Sequence, residues 1–117
     1  VTALEAYCRD RIASNPNLLV PWWIMAAWTY DRVGSETLIS DALFDEIAVR
    51  IDREWETITH WHKPLLDRRM LKSALAIRGQ WPLRAMHAAE SLLRDGPPST
   101  FHVAAEARPQ PQQLALF

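Results

Sequence analysis

The sequence predicts an all-α protein, a compact bundle of about five helices followed by a disordered C-terminal tail. Three observations point there. Apolar residues Leu43, Phe44, Ile47, Ala48, Ile51, Trp55 and Ile58 recur at three- and four-residue steps, the spacing that lines one face of an α-helix. An uncharged run from Leu18 to Tyr30 carries Pro21 near its start and Gly34 beyond its end, the asymmetry expected of helix termini. No stretch shows the alternating β-branched residues of a strand.

The first helix is expected over residues 2–15. Thr2-Ala3-Leu4-Glu5 has capping-box spacing, with a hydroxyl for an early backbone N–H and a carboxylate that reaches back to the cap. Leu4, Tyr7, Cys8 and Ile12 share a side, and Pro16 ends the helix by disfavouring helical geometry at Asn15. Cys8 reads as a small core residue, since no spaced partner supplies a base for it. The second helix, 21–33, is apolar on all sides and so is expected at the centre. It is shorter than the roughly 20 apolar residues a bilayer span needs. Trp22, Trp23 and Trp28 read as core, because no Lys or Arg is interleaved with them as in a base-stacking surface.

The third helix, 41–57, is capped by Ser40 or Asp41 and has one core face and one charged face. His60-Trp61-His62 follows in a loop. Two histidines without a third ligand at suitable spacing do not make a zinc site. A fourth helix, 68–78, is expected to start at an Asp67 cap, turn Met70, Leu71, Ala74 and Leu75 inward, and stop at Gly79. The fifth, 82–94, opens at Trp81-Pro82 with Leu83, Met86, Ala89 and Leu93 as its apolar positions.

The organisation follows from these elements. Residues 1–96 form a helical domain, 97–112 a disordered Pro/Gln-rich linker, and 113–117 a peptide without a fold of its own. Thirteen basic and fourteen acidic residues leave the chain nearly neutral, so no global field drives it onto nucleic acid or an anionic membrane. A single cysteine and a charged N-terminal helix in place of a signal peptide suit a reducing cytoplasm. Locally, Lys63, Arg68, Arg69 and Lys72 form a basic stretch that offers contacts to DNA phosphates.

The peptide Gln113-Leu114-Ala115-Leu116-Phe117 combines an amide with apolar side chains, the composition of a short linear binding element. It resembles the bacterial β sliding-clamp-binding motif, Gln-Leu-Ser/Asp-Leu-Phe. The resemblance implies that Gln113 is the hydrogen-bonding anchor, Leu114 a secondary contact, and Leu116 with Phe117 the pair that fills the clamp's pocket. Ala115 stands at the motif's tolerant position.

A second resemblance lies in Tyr30-Asp31 and Leu38-Ile39-Ser40-Asp41-Ala42-Leu43-Phe44-Asp45-Glu46-Ile47, within residues 30–58. This stretch is similar to the N-terminal helical subdomain of bacterial NAD-dependent DNA ligases. The resemblance implies nicotinamide-nucleotide recognition by Tyr30, Asp41, Phe44 and Asp45, with Phe44 where the family has tyrosine. The ligase catalytic core needs Lys-x-Asp-Gly, and neither Lys63 nor Lys72 is followed by Asp-Gly.

The expected function is therefore binding without catalysis or a cofactor. The expected partner is the β sliding clamp of DNA polymerase III, with the chain acting as a replication or repair accessory or as a clamp-blocking inhibitor. Two alternatives are a nicotinamide-nucleotide-binding helical domain and a DNA-binding accessory protein that uses the basic stretch.

Overall fold

Thr2 sets the first helix: its hydroxyl accepts the Glu5 N–H at 3.1 Å, and α1 then runs Ala3–Ser14. A computed structural model describes residues 2–31, 36–73, 77 and 79–101. A 3₁₀ turn, Pro16–Leu18, leads into α2, Leu19–Asp31. Helix α3 spans Asp41–Arg53, and after two short 3₁₀ turns, Lys63–Leu65 and Arg68–Met70, α4 spans Leu83–Asp95. Among the described residues no helix is long and apolar enough to cross a membrane.

Helix α2 is the axis on which the others pack, with α3 and α4 both against it. Nine of the 13 residues of α2 are buried, as the absence of charge before its last residue, Asp31, requires. Its one buried polar side chain, Thr29, is satisfied twice: the hydroxyl donates to the Ala26 carbonyl at 2.8 Å and accepts the Leu38 N–H at 3.1 Å. Trp22 and Trp23 lie in the core, and Trp28 packs partly against it. Cys8 is fully buried, and burial pushes its thiol up to about 12, which leaves the thiolate unpopulated at neutral pH.

Several expectations need correction. Four α-helices, rather than five, are present among the described residues. Of the segment expected as helix 68–78, the described residues make one 3₁₀ turn over Arg68–Met70, capped by Asp67, and Ile77 pairs with Leu66 in an isolated antiparallel bridge, while Ala74 and Leu75 lie outside the described residues. The Leu71 carbonyl accepts the Trp23 indole N–H at 2.7 Å, a tie to α2 that competes with the use of the same carbonyl inside a helix. Met70 is accordingly exposed instead of inward. Helix α3 ends at Arg53, earlier than residue 57, and the turns that follow are tied by the Thr57 N–H donating to the Glu54 carbonyl at 3.0 Å and by the Lys63 ammonium donating to the carbonyls of Trp55 and Ile58. On α4, Ala85 and Ala89 are the buried positions, and Leu83 is 63% exposed. Within the stretch expected as linker, the Phe101 ring meets Tyr7 edge-on at 5.0 Å. Gly34 and residues 102–117 lie outside the described residues.

Glu5 departs from the capping box. Its backbone N–H meets Thr2, but its carboxylate crosses to α3 and accepts the Ser40 N–H at 2.6 Å, while the Ser40 hydroxyl caps Leu43 at 3.2 Å. The N-terminal end of α3 is a favourable place for a negative charge. Hydrogen bonding from Ser40 holds the Glu5 carboxyl below its ordinary 4.5, against an opposing effect of burial. A lowered folded pKa stabilises the protein fully above the ordinary value, and that stability is lost as pH falls through the lower folded value. Denaturant midpoints measured from pH 6 downward should therefore fall less steeply in Glu5→Gln than in the parent. Parallel curves would show that the α1–α3 tie does not titrate.

Candidate functional site

The expected nucleotide-recognition residues do come together. Tyr30 stands in the last turn of α2, and Asp41, Phe44 and Asp45 stand at the start of α3 at positions i, i+3 and i+4, which share one helix face. With Lys72 they line an open hollow of about 320 Å³. The Tyr30 hydroxyl donates to Asp41 Oδ1 at 2.6 Å and lies 3.4 Å from the Ile39 carbonyl. Burial first, and then the hydrogen bond to Asp41, push the Tyr30 pKa upward, so the phenol stays protonated.

Phe44 takes a different part. It is 5% exposed, meets Tyr30 edge-on at 5.2 Å and packs on Trp23 at 5.7 Å, so its ring belongs mainly to the core behind the hollow. The polar wall is thus two carboxylates, one phenol already engaged with a carboxylate, and one ammonium. Such a wall can hydrogen-bond a neutral polar group, but it contains no nucleophile paired with a base. Sequence reasoning did not place Lys72 here, because it approaches from the segment after α3 and not from either helix of the resembling stretch.

The basic stretch does not present one free cationic face. Lys63 is half-buried and gives its ammonium to the Trp55 and Ile58 carbonyls, with the Trp55 ring 4.8 Å away. Arg68 bonds Asp52 Oδ1 at 2.8 Å and the Asp52 carbonyl at 3.0 Å, with Glu56 at 3.6 Å. Arg69 lies 3.4 Å from Asp67. Lys72 turns to the hollow. Three of the four expected phosphate-contacting cations therefore tie together the loop after α3.

Gln113, Leu114, Leu116 and Phe117 lie outside the described residues. No group of three His, Cys, Asp or Glu side chains among the described residues could hold a metal ion. His60 and His62 stand together at 5.4 Å between ring centres, but the His62 backbone N–H donates to His60 Nδ1 at 3.0 Å, which occupies that nitrogen. Compared with protein-family models, curated proteins and solved structures, the chain matches none.

Proposed function

We propose that this protein is a client of the bacterial β sliding clamp and docks through Gln113-Leu114-Ala115-Leu116-Phe117. One observation carries the reading: the pentapeptide agrees with the clamp-binding pattern at its Gln, both Leu and its Phe, and it follows a Pro/Gln-rich stretch. Gln113 sets the register, Leu114 adds a secondary contact, and Leu116 with Phe117 fill the apolar pocket. Docking would bring the helical body to replicating DNA or exclude other clients from the pocket, in either case inside the bacterial cytoplasm. One short peptide gives modest affinity, so a blocking role would need further contacts from the body or a second copy on another clamp protomer. In a pull-down with purified clamp, the full chain should capture the clamp and a chain ending at Gln112 should not. Equal capture by both would remove the reading.

The convergence of Tyr30, Asp41, Phe44 and Asp45 on one hollow favours a second reading, a nicotinamide-nucleotide-binding domain. Against it stand the engagement of the Tyr30 hydroxyl with Asp41 and the absence of a hydroxyl at the buried Phe44. Titration calorimetry with millimolar nicotinamide mononucleotide should give no saturable heat. Saturable heat that Asp41→Ala abolishes would establish the nucleotide reading instead.

A further inference from the structure

On the side of α2 formed with α1 and α4 lies an open cleft of about 710 Å³, a size within the roughly 300–1,000 Å³ of small-molecule sites. Its floor is apolar, built from Leu18, Pro21, Trp22, Met25 and Leu92. One wall is the His60-Trp61-His62 corner. Trp61 is 71% exposed, and its ring lies against that of His62, tilted by 34° with centres 3.7 Å apart. Arg11 from α1 and Arg84 from α4 complete the lining, which contains no Asp or Glu. Neither guanidinium has a carboxylate partner among the described residues.

The aromatic corner is held in place from several sides. Asn17 and Thr59 exchange two hydrogen bonds, Nδ2–H to Oγ1 at 3.0 Å and N–H to Oδ1 at 2.9 Å, fixing the loop to the start of α2. The Lys63 ammonium binds the carbonyls of Trp55 and Ile58, and Ile58 itself is buried. The His62 N–H to His60 Nδ1 bond closes the turn around Trp61. An exposed indole is ordinary by itself. An indole fixed at the edge of an apolar cleft, lined also by two arginines without a carboxylate partner among the described residues, selects for a partner with flat apolar surface and negative charge. Burial lowers the pKa of both His60 and His62, so at neutral pH the positive charge belongs to the arginines.

We propose that this cleft binds single-stranded nucleic acid, with a base stacked on Trp61 and neighbouring phosphates at Arg11 and Arg84. Each nucleotide joins a planar apolar ring to an anion at fixed spacing, the pairing that aromatic and cationic side chains recognise together in single-strand-binding grooves. A duplex keeps its bases stacked inside and offers the cleft only phosphates. The site uses no residue beyond 101, so it stands whether or not residues 113–117 bind a clamp.

The test is fluorescence anisotropy of the full chain with a labelled mixed-sequence single-stranded DNA, the RNA of the same sequence, and the DNA duplex. Saturable binding of a single strand at low salt, tighter than that of the duplex, is expected. Either single strand serves, and a preference between DNA and RNA identifies the source of the ligand. Trp61→Ala should weaken binding by about fivefold or more, the low end of the loss of one stacked base. With two phosphate contacts the slope of log affinity against log salt should be about −1.4, and Arg11→Gln with Arg84→Gln should flatten it towards zero. All three side chains lie at the surface, and circular dichroism would verify that each variant is folded. Absence of saturable binding, equal affinity for the duplex, or unchanged affinity in both folded variants would overturn the proposal. Capture of an acidic apolar peptide by the cleft with no single-strand binding would overturn it as well.

Discussion

Trp23→Ala should lower folding stability by about 3–5 kcal/mol, the range for removing a large aromatic from a core. The side chain is fully buried on α2, packs on Phe44, and donates its indole N–H to the segment after α3. Two losses combine. The cavity removes contacts between α2 and α3, and the buried Leu71 carbonyl is left without its donor, which costs about 1–3 kcal/mol in its own right. Trp23→Phe separates them, since it keeps most of the ring volume and removes the N–H. It should fall between parent and Trp23→Ala. Domains of this size are held by only about 5–15 kcal/mol, so the Ala variant loses a large share of its stability. Urea unfolding followed by circular dichroism is the measurement. A midpoint in Trp23→Ala close to that of the parent would mean that the core is not organised around this residue.

The same hydrogen bond explains what the sequence could and could not reveal. Helix α3 was legible because a single face repeats and Ser40 offers a cap, and both signals lie within the helix itself. Helix α2 was legible from its lack of charge up to Tyr30. Residues 68–78 carry a plausible helical spacing, yet the described part holds one 3₁₀ turn, and the Leu71 carbonyl just after it meets an indole 48 positions earlier in the chain. Local periodicity contains no record of that donor. Glu5 likewise fits a capping box by spacing, and its carboxylate is drawn instead to an amide 35 positions away.

The candidate sites divide in the same way. Tyr30, Asp41, Phe44 and Asp45 were readable together because they flank one helix-loop-helix, whereas Lys72 reaches their hollow from elsewhere. The basic stretch is dense in sequence, but folding pairs Arg68 and Arg69 with carboxylates and gives Lys63 to carbonyl groups. In the cleft, the aromatic corner was visible as a loop, while Arg11 and Arg84 reach it from opposite ends of the domain. A search for aromatics interleaved with cations along the chain cannot find a surface assembled from three separate elements.

Phe117→Ala should weaken clamp affinity by at least about thirtyfold, corresponding to a hot-spot loss of roughly 2 kcal/mol or more. An aromatic ring and a neighbouring leucine can bury most of the peptide's apolar area in one pocket, so Leu116→Ala should also cause a large loss. Gln113→Ala should cost about 0.5–1.5 kcal/mol, the usual worth of one hydrogen-bonded contact. Ala115→Ser should be neutral or mildly favourable, because that position tolerates either residue in the motif. These side chains lie beyond the described body, and the far-ultraviolet circular dichroism of each variant should match the parent.

The most direct test is surface plasmon resonance of the full chain over immobilised β clamp, with the parent, Phe117→Ala and Leu116→Ala compared at equal concentrations. The account predicts saturable binding by the parent and a loss of at least about thirtyfold for Phe117→Ala. No binding by the parent, or parental affinity in both variants, would contradict it.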